Sequence, residues 1–164
     1  MTIFDSLNRE HALMLGLVAR MEAAFKRGRV GGAREALAAL ETALARHEEI
    51  EDLVMGPADR AEDPALEREL RRTALQHSGL EGLRAELRAV LASADCQGES
   101  DVRLRVLAAS LARRLRAHFL SEERSLWPLL AKRAGRSLER SLENRAEREL
   151  EELADELKRF ERKT

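Results

Sequence analysis

The sequence has no tyrosine, one cysteine, three prolines and very few aromatic residues. The single cysteine, Cys96, excludes an internal disulfide, and its polar, glycine-containing surroundings predict a surface loop that carries a bystander thiol. The lack of tyrosine excludes a redox-active phenol from any mechanism. β-Branched residues are sparse, while alanine, leucine, glutamate and arginine dominate, so the composition favours helix throughout and predicts no sheet.

The chain also lacks an excess of charge of one sign and any long hydrophobic run. Its 29 basic and 30 acidic residues are interspersed and give a formal net charge of -1, which argues against a nucleic-acid surface or an anionic membrane partner. The amino terminus has no basic flank and no long apolar core, so it does not resemble a secretory signal, and no stretch reaches the length of a membrane span. We expect a cytoplasmic protein.

Glycine and proline divide the chain into four helical segments. The glycines of RGRVGG separate the first segment from the second, and Gly56 and Pro57 end the second. Asp63 and Pro64 form a favourable start for the third, and the segment DCQGES precedes the fourth. The helices are predicted over about residues 4–27, 32–55, 64–94 and 100–131. Four helices with short connections predict an all-α, up-down-up-down four-helix bundle.

Six ionisable residues occupy positions at which the helices should present apolar side chains. At the three-and-four spacing of a packed helix face, for example, His11 falls between Leu7 and Met14. The six residues are His11, His47, Glu51, His77, His118 and Glu122. Burying an unpaired carboxylate or imidazole is costly, and a bound metal is the simplest partner that would compensate both charge and hydrogen bonding.

The two halves of the chain contain a faint repeat. The segment HEEIEDLVMGP begins at His47 and the segment HFLSEERSLWP begins at His118, and each has glutamate four residues and proline ten residues after the histidine. Counting residues from the predicted connections places His11 level with His47, and His77 level with His118. The repeat therefore predicts that each half of the bundle contributes an equivalent pair of ligands, a histidine and the glutamate four residues after it on the same helix face.

The order His, His-x-x-x-Glu, His, His-x-x-x-Glu resembles the hemerythrin-like (HHE cation-binding) domains over about residues 4–131. The resemblance implies two non-haem irons (Fe2+/Fe3+) with a bridging oxide or hydroxide, the four histidines as terminal ligands, and Glu51 and Glu122 as bridging carboxylates. The mixed imidazole and carboxylate set suits iron and leaves zinc and manganese open. Oxygen-carrying members have a fifth histidine where this chain has Thr73, and Glu48 is a further candidate ligand.

The resemblance implies a function for the bundle, and the spacing of apolar residues predicts the structure of the remaining segment. Residues 1–134 are expected to form the hemerythrin-like bundle with the di-iron site, and residues 135–164 a charged amphipathic helix that packs on the bundle or on another chain. The site is expected to bind or react with oxygen, peroxide or nitric oxide, and a peroxide-decomposing, catalase-like or other oxidoreductase activity is left open.

Two alternatives remain beside this interpretation. One is an iron, oxygen or redox sensor that acts through a partner, and the other is a structural helix bundle without metal. We expect a small-molecule ligand, no nucleic acid, no membrane, and a monomer or homodimer.

Overall fold

The computed structural model describes residues 2–56, 63–93 and 99–132, together with residues 151, 152, 154, 155 and 158. Within these residues the chain is helical and contains no strand. The helices are α1, Ile3–Lys26; α2, Val30–Met55; α3, Pro64–Ala92; α4, Glu99–Ser121; a π-helical turn, Glu122–Leu126; and α5, Trp127–Ala131. The four predicted helices are confirmed, with α4, the π-helical turn and α5 together forming the fourth.

Local signals explain where the helices begin. Thr2 caps α1 because its hydroxyl accepts the N–H of Asp5 while the Asp5 carboxylate accepts the N–H of Thr2. The Asp63 carboxylate accepts two N–H groups of the first turn of α3, and Pro64 is the first helical residue. In the connection between α1 and α2, Gly28 has a φ of +67°. Glycine adopts this left-handed conformation at little cost.

The helices pack as neighbours in a bundle. α1 packs against both α2 and α4, and α3 packs against α4. Long side chains link α3 to α2: an Arg84 guanidinium nitrogen lies 3.0 Å from a carboxylate oxygen of Glu48, and Arg88 forms an ion pair with Glu41. The predicted all-α bundle is confirmed.

In the part of the chain that the structure describes, the apolar core is divided into two clusters. The larger cluster includes Met14, Leu44, Leu80 and Leu115. The smaller cluster lies at the other end of the bundle and consists of Ile3, Phe4, Leu7, Ile50, Val54, Leu66, Leu126, Trp127 and Leu130. Because the predicted polar residues fall between members of the two clusters along each helix, they form one layer across the bundle.

No helix in the described ranges is both long enough and apolar enough to cross a membrane. The predicted loop around Cys96 lies outside the described residues, as does most of the predicted helix over residues 135–164. A contact between that segment and the bundle is described: a carboxylate oxygen of Glu152 lies 2.7 Å from a guanidinium nitrogen of Arg46 in α2. The division into residues 1–134 and 135–164 stays a prediction.

Candidate metal centre

The four long helices and the π-helical turn bring the six predicted residues together. α1 contributes His11, α2 contributes His47 and Glu51, α3 contributes His77, α4 contributes His118, and the π-helical turn contributes Glu122. All of these side chains are buried except that of His77, which is 22% exposed. Among the described residues, the interior of the bundle therefore holds a layer of six ionisable groups that is partly exposed at His77.

The six residues form two groups of four that share both glutamates. One group contains His11 and His47, the other contains His77 and His118, and Glu51 and Glu122 belong to both. Within each group one nitrogen or oxygen atom from every residue lies within 4.8 Å of the others. Each group could hold one cation.

The carboxylates of Glu51 and Glu122 lie between the two histidine pairs. One Glu51 oxygen lies 3.0 Å from His47 Nε2 and the other 3.3 Å from His77 Nε2. One Glu122 oxygen lies 3.4 Å from His11 Nε2 and the other 3.1 Å from His118 Nε2. Each carboxylate thus directs one oxygen toward each histidine pair.

The spacing of the ring nitrogens fits a bound cation. The Nε2 atoms of His11 and His47 are 2.9 Å apart, and those of His77 and His118 are 3.0 Å apart. Two ligands at right angles on a cation, each about 2.1 Å from it, would be about 3.0 Å apart. The pairs therefore have the separation that adjacent ligands of one metal ion require.

The carboxylate oxygens provide a second test of whether these residues fit a bound metal ion. All four oxygens of Glu51 and Glu122 are buried and accept no hydrogen bond of normal geometry from the described residues, although imidazole nitrogens lie within ion-pairing distance. Buried oxygens without a hydrogen bond destabilise a fold unless another group compensates them. A cation beside each histidine pair would satisfy this need, so the donor set fits a metal.

One histidine of each pair favours the protonated form. Burial lowers the pKa of His47, but the charge of Glu51 and the hydrogen bond to Glu10 outweigh burial and raise the pKa to about 10. Burial also lowers the pKa of His77, and its contacts with Glu122 and Glu51 outweigh burial and raise it to about 10. Both rings therefore favour the positively charged form, with a proton on each nitrogen, at neutral pH.

The other histidine of each pair favours the neutral form. Burial, together with the charge of His47, lowers the pKa of His11 to about 2. Burial also lowers the pKa of His118, to about 4. A hydrogen bond between two Nε2 atoms needs one donor and one acceptor, and these pKa values make His47 and His77 the donors.

The two shared glutamates also differ in pKa. Burial opposes ionisation of Glu51, but the neighbouring charge of His47 more than compensates and holds the pKa of this carboxyl well below its usual value. Burial, together with the charge of Glu51, raises the pKa of Glu122 to about 8. Like charges that share a buried site separate their titrations in this way.

Three polar residues that the sequence analysis did not identify hold the histidine rings in place. The His47 Nδ1 hydrogen bonds to a carboxylate oxygen of Glu10 at 2.8 Å, and the His11 Nδ1 to one of Glu123 at 2.9 Å. The His118 Nδ1 hydrogen bonds to the amide oxygen of Gln76 at 3.1 Å. Partners of this kind fix the tautomer and aim the other ring nitrogen at a metal.

A sequence signal for these partners exists in hindsight. Glu10 precedes His11, Gln76 precedes His77, and Glu123 follows Glu122. Each bonds to a histidine of a neighbouring helix and not to its own neighbour in sequence, so the signal needs the helix arrangement before it can be interpreted. Phe119 was also missed, and its ring stacks on His11 with the centroids 4.0 Å apart.

The π-helical turn explains how two adjacent glutamates serve the site. Successive residues of an α-helix point about 100° apart, which makes it hard for neighbours to face the same interior. Over Glu122–Leu126 the turn is widened, and the N–H of Trp127 donates to the carbonyl of Glu122. Glu122 lies in the polar layer while Glu123 reaches the His11 ring. Widened turns of this kind are frequent at functional sites.

Two further residues raised by the sequence lie beside the polar layer. The Glu48 carboxylate pairs with Arg84 at 3.0 Å and belongs to neither group of donors. Thr73 is buried in α3, one turn before His77.

A family model described as "Hemerythrin HHE cation binding domain" matches residues 2–130. The match spans the four long helices, the π-helical turn and all six predicted residues, and it confirms the resemblance seen in their order. No curated protein and no solved structure matches the chain significantly.

Proposed function

Because the chain belongs to the hemerythrin HHE cation-binding domain family, we propose that it is a non-haem di-iron protein whose metal pair binds or reacts with oxygen, peroxide or nitric oxide. The observation that carries this proposal is the sharing of Glu51 and Glu122 between two donor groups. Each glutamate has one oxygen near each histidine pair. This is the placement that a bridging carboxylate needs.

The donor chemistry supports iron as the metal. Four imidazoles with two carboxylates form a mixed nitrogen and oxygen set, which suits Fe2+ and Fe3+, and zinc and manganese are the competing outcomes of a metal analysis. When bound, an iron pair supplies Lewis acidity and a change of oxidation state. Both properties would serve to bind or convert a small oxidant.

The chain itself supplies orientation and exclusion of water. Glu10, Glu123 and Gln76 accept the Nδ1 protons of three histidines, which leaves the Nε2 atoms free to face a cation. Apolar clusters close the bundle on both sides of the polar layer. Since His77 is the most exposed of the four histidines, we place the entrance for a small molecule on its side of the layer.

Metal content tests the proposal. Protein expressed in iron-rich medium is expected to contain about two irons per chain, and the Glu51→Gln variant is expected to lose at least one, because the substitution would remove the shared charge. Glu48→Gln is the matched control, since Glu48 lies on the same helix and pairs with Arg84. Wild-type protein with no bound metal would favour the structural bundle and contradict the proposal.

Reactivity then separates a binding protein from an enzyme. Iron-loaded protein is expected to change its absorption spectrum when azide or peroxide is added. Steady-state consumption of peroxide beyond that of free iron would establish a catalase-like activity. Loaded protein whose spectrum responds to neither addition contradicts the proposed reactivity.

A second candidate, a sensor of iron, oxygen or redox state, is favoured by one contact. Glu152 pairs with Arg46, which directly precedes His47 in α2. A change at the site could therefore reach the segment over residues 135–164, which we expect to pack on the bundle or on a second copy. Hydrogen exchange of this segment should then slow or quicken on iron loading, whereas unchanged exchange would remove the sensor candidate. A cytoplasmic location and a monomeric or homodimeric state belong to both candidates.

A further inference from the structure

The two histidine pairs have different outer partners. In the pair on α1 and α2, His11 and His47, both Nδ1 atoms face a carboxylate, from Glu123 and Glu10 respectively. We name this the carboxylate-backed pair. In the pair on α3 and α4, the His118 Nδ1 faces the neutral amide of Gln76, and no described residue hydrogen bonds to the His77 Nδ1. We name this the amide-backed pair.

The difference is encoded at corresponding positions of the two halves of the chain. Glu10 precedes the first histidine of one half and Gln76 precedes the first histidine of the other. Glu123 directly follows the shared Glu122. The corresponding residue after the shared Glu51 is Asp52, whose side chain is shorter and exposed. The ligand sets are thus equivalent while their outer partners are not.

Burial increases the difference between the carboxylate-backed pair and the amide-backed pair. His11, His47 and Glu10 are each at most 3% exposed, whereas His77 is 22% exposed. The hydrogen bond between His47 and Glu10 therefore lies in a medium of low polarity, where a carboxylate strengthens the basicity of an imidazole most. The side chain of His77, in contrast, is partly exposed to solvent.

We infer that a cation at the carboxylate-backed pair is held more tightly and leaves more slowly than a cation at the amide-backed pair, and that Glu10 and Glu123 cause the difference. The inference rests on the proposed function, since it assumes one metal at each pair. Loss of one outer partner of a metal ligand typically weakens metal binding by about 10–100-fold. A difference of at least this size is expected between the two positions.

Release of iron to a chelator tests the inference. Protein loaded with Fe2+ without oxygen and freed of excess metal is mixed with a colour-forming ferrous chelator. We expect two phases of about one iron each. Glu10→Gln should accelerate the slow phase by about 10–100-fold and leave the fast phase unchanged.

The reciprocal variant, Gln76→Glu, provides an independent test. Gln76→Glu places a carboxylate behind His118 and should slow the fast phase while leaving the slow phase unchanged. The release phases of Gln76→Glu therefore test the inference even if Glu10→Gln fails to fold. Glu48→Gln should leave both phases as they are, because Glu48 contacts neither pair.

The outcomes separate the inference from the proposed function. Release of two irons in one phase, or equal acceleration of both phases by Glu10→Gln, would overturn the inference and leave the di-iron proposal standing. Failure of the wild-type protein to bind iron would overturn both.

Discussion

At the scale of single residues, each histidine pair is arranged to share a proton where a cation would lie. The Nε2 atoms of His11 and His47 are 2.9 Å apart, and those of His77 and His118 are 3.0 Å apart. Burial makes one ring of each pair neutral, while neighbouring carboxylates keep the other protonated. Protons and metal therefore compete for the same lone pairs, so low pH opposes metal binding.

The pKa values predict that chelator-treated, metal-free protein loses stability as the pH rises from 7 to 10. The pKa of about 10 for His47 and for His77 lies above the ordinary 6.5 of an unfolded chain. Their contribution to the free energy of unfolding is complete below pH 6.5 and is lost as the pH rises through 10. The loss is at most about 1.4 kcal/mol per pH unit for each group. Urea unfolding followed by circular dichroism measures it.

A variant that removes one of the two histidines identifies the source of this pH dependence. Between pH 8 and 10, His47→Gln should reduce the slope of stability against pH by about half, because the pKa of His77 stays raised while Glu122, with a pKa of about 8, is already largely ionised. A wild-type stability that stays flat or rises between pH 7 and 10 contradicts the assignment of protons within the pairs.

The six candidate ligands could be identified from the sequence because a helical face is a local property. Counting in steps of three and four from apolar neighbours places His11 and Glu122 inward, and the structure brings all six residues together. Glu10, Glu123 and Gln76 could not be assigned in the same way. Each bonds across to another helix, and this depends on how the helices are rotated against each other.

At the scale of helices, boundaries were predictable where a single residue type enforces them. Pro64 starts α3, and α1 ends at Lys26 just before Gly28, as expected, whereas Gly31 and Gly32 lie within α2. The π-helical turn over Glu122–Leu126 was not predicted. No local sequence rule specifies it, and its effect is tertiary, since Glu122 enters the polar layer and Glu123 binds His11.

Two glycines provide a matched test of the helix assignments. Gly28 has a φ of +67°, whereas Gly82 lies within α3, and a Cβ at either position would meet no atom within 4 Å. Gly28→Ala is expected to lower the free energy of unfolding by about 1 kcal/mol because alanine resists the left-handed conformation. Gly82→Ala is expected to raise it by up to about 1 kcal/mol through helix propensity.

Denaturant unfolding of both variants measures these effects against wild type. Because neither substitution creates a clash, the backbone conformation alone should decide the sign. Changes of the same sign in the two variants contradict the assigned connection between α1 and α2.

At the scale of the whole molecule, the bundle is two apolar clusters separated by a layer of ionisable groups. The larger cluster includes Met14 and Leu115, and the smaller includes Leu7 and Trp127. The layer contains four buried carboxylate oxygens with no good hydrogen bond from the described residues. Cations in the layer would join the two clusters into one stable unit, because a metal that binds only the folded state stabilises it.

The central claim is that this layer holds a pair of metal ions, and anomalous diffraction at the iron absorption edge tests it most directly. Crystals of iron-loaded protein should show two peaks, one about 2.1 Å from the Nε2 atoms of His11 and His47 and one at the same distance from those of His77 and His118. Glu51 and Glu122 should lie between the peaks. A map with no peak in the layer, or with iron only at surface carboxylates, would contradict the claim.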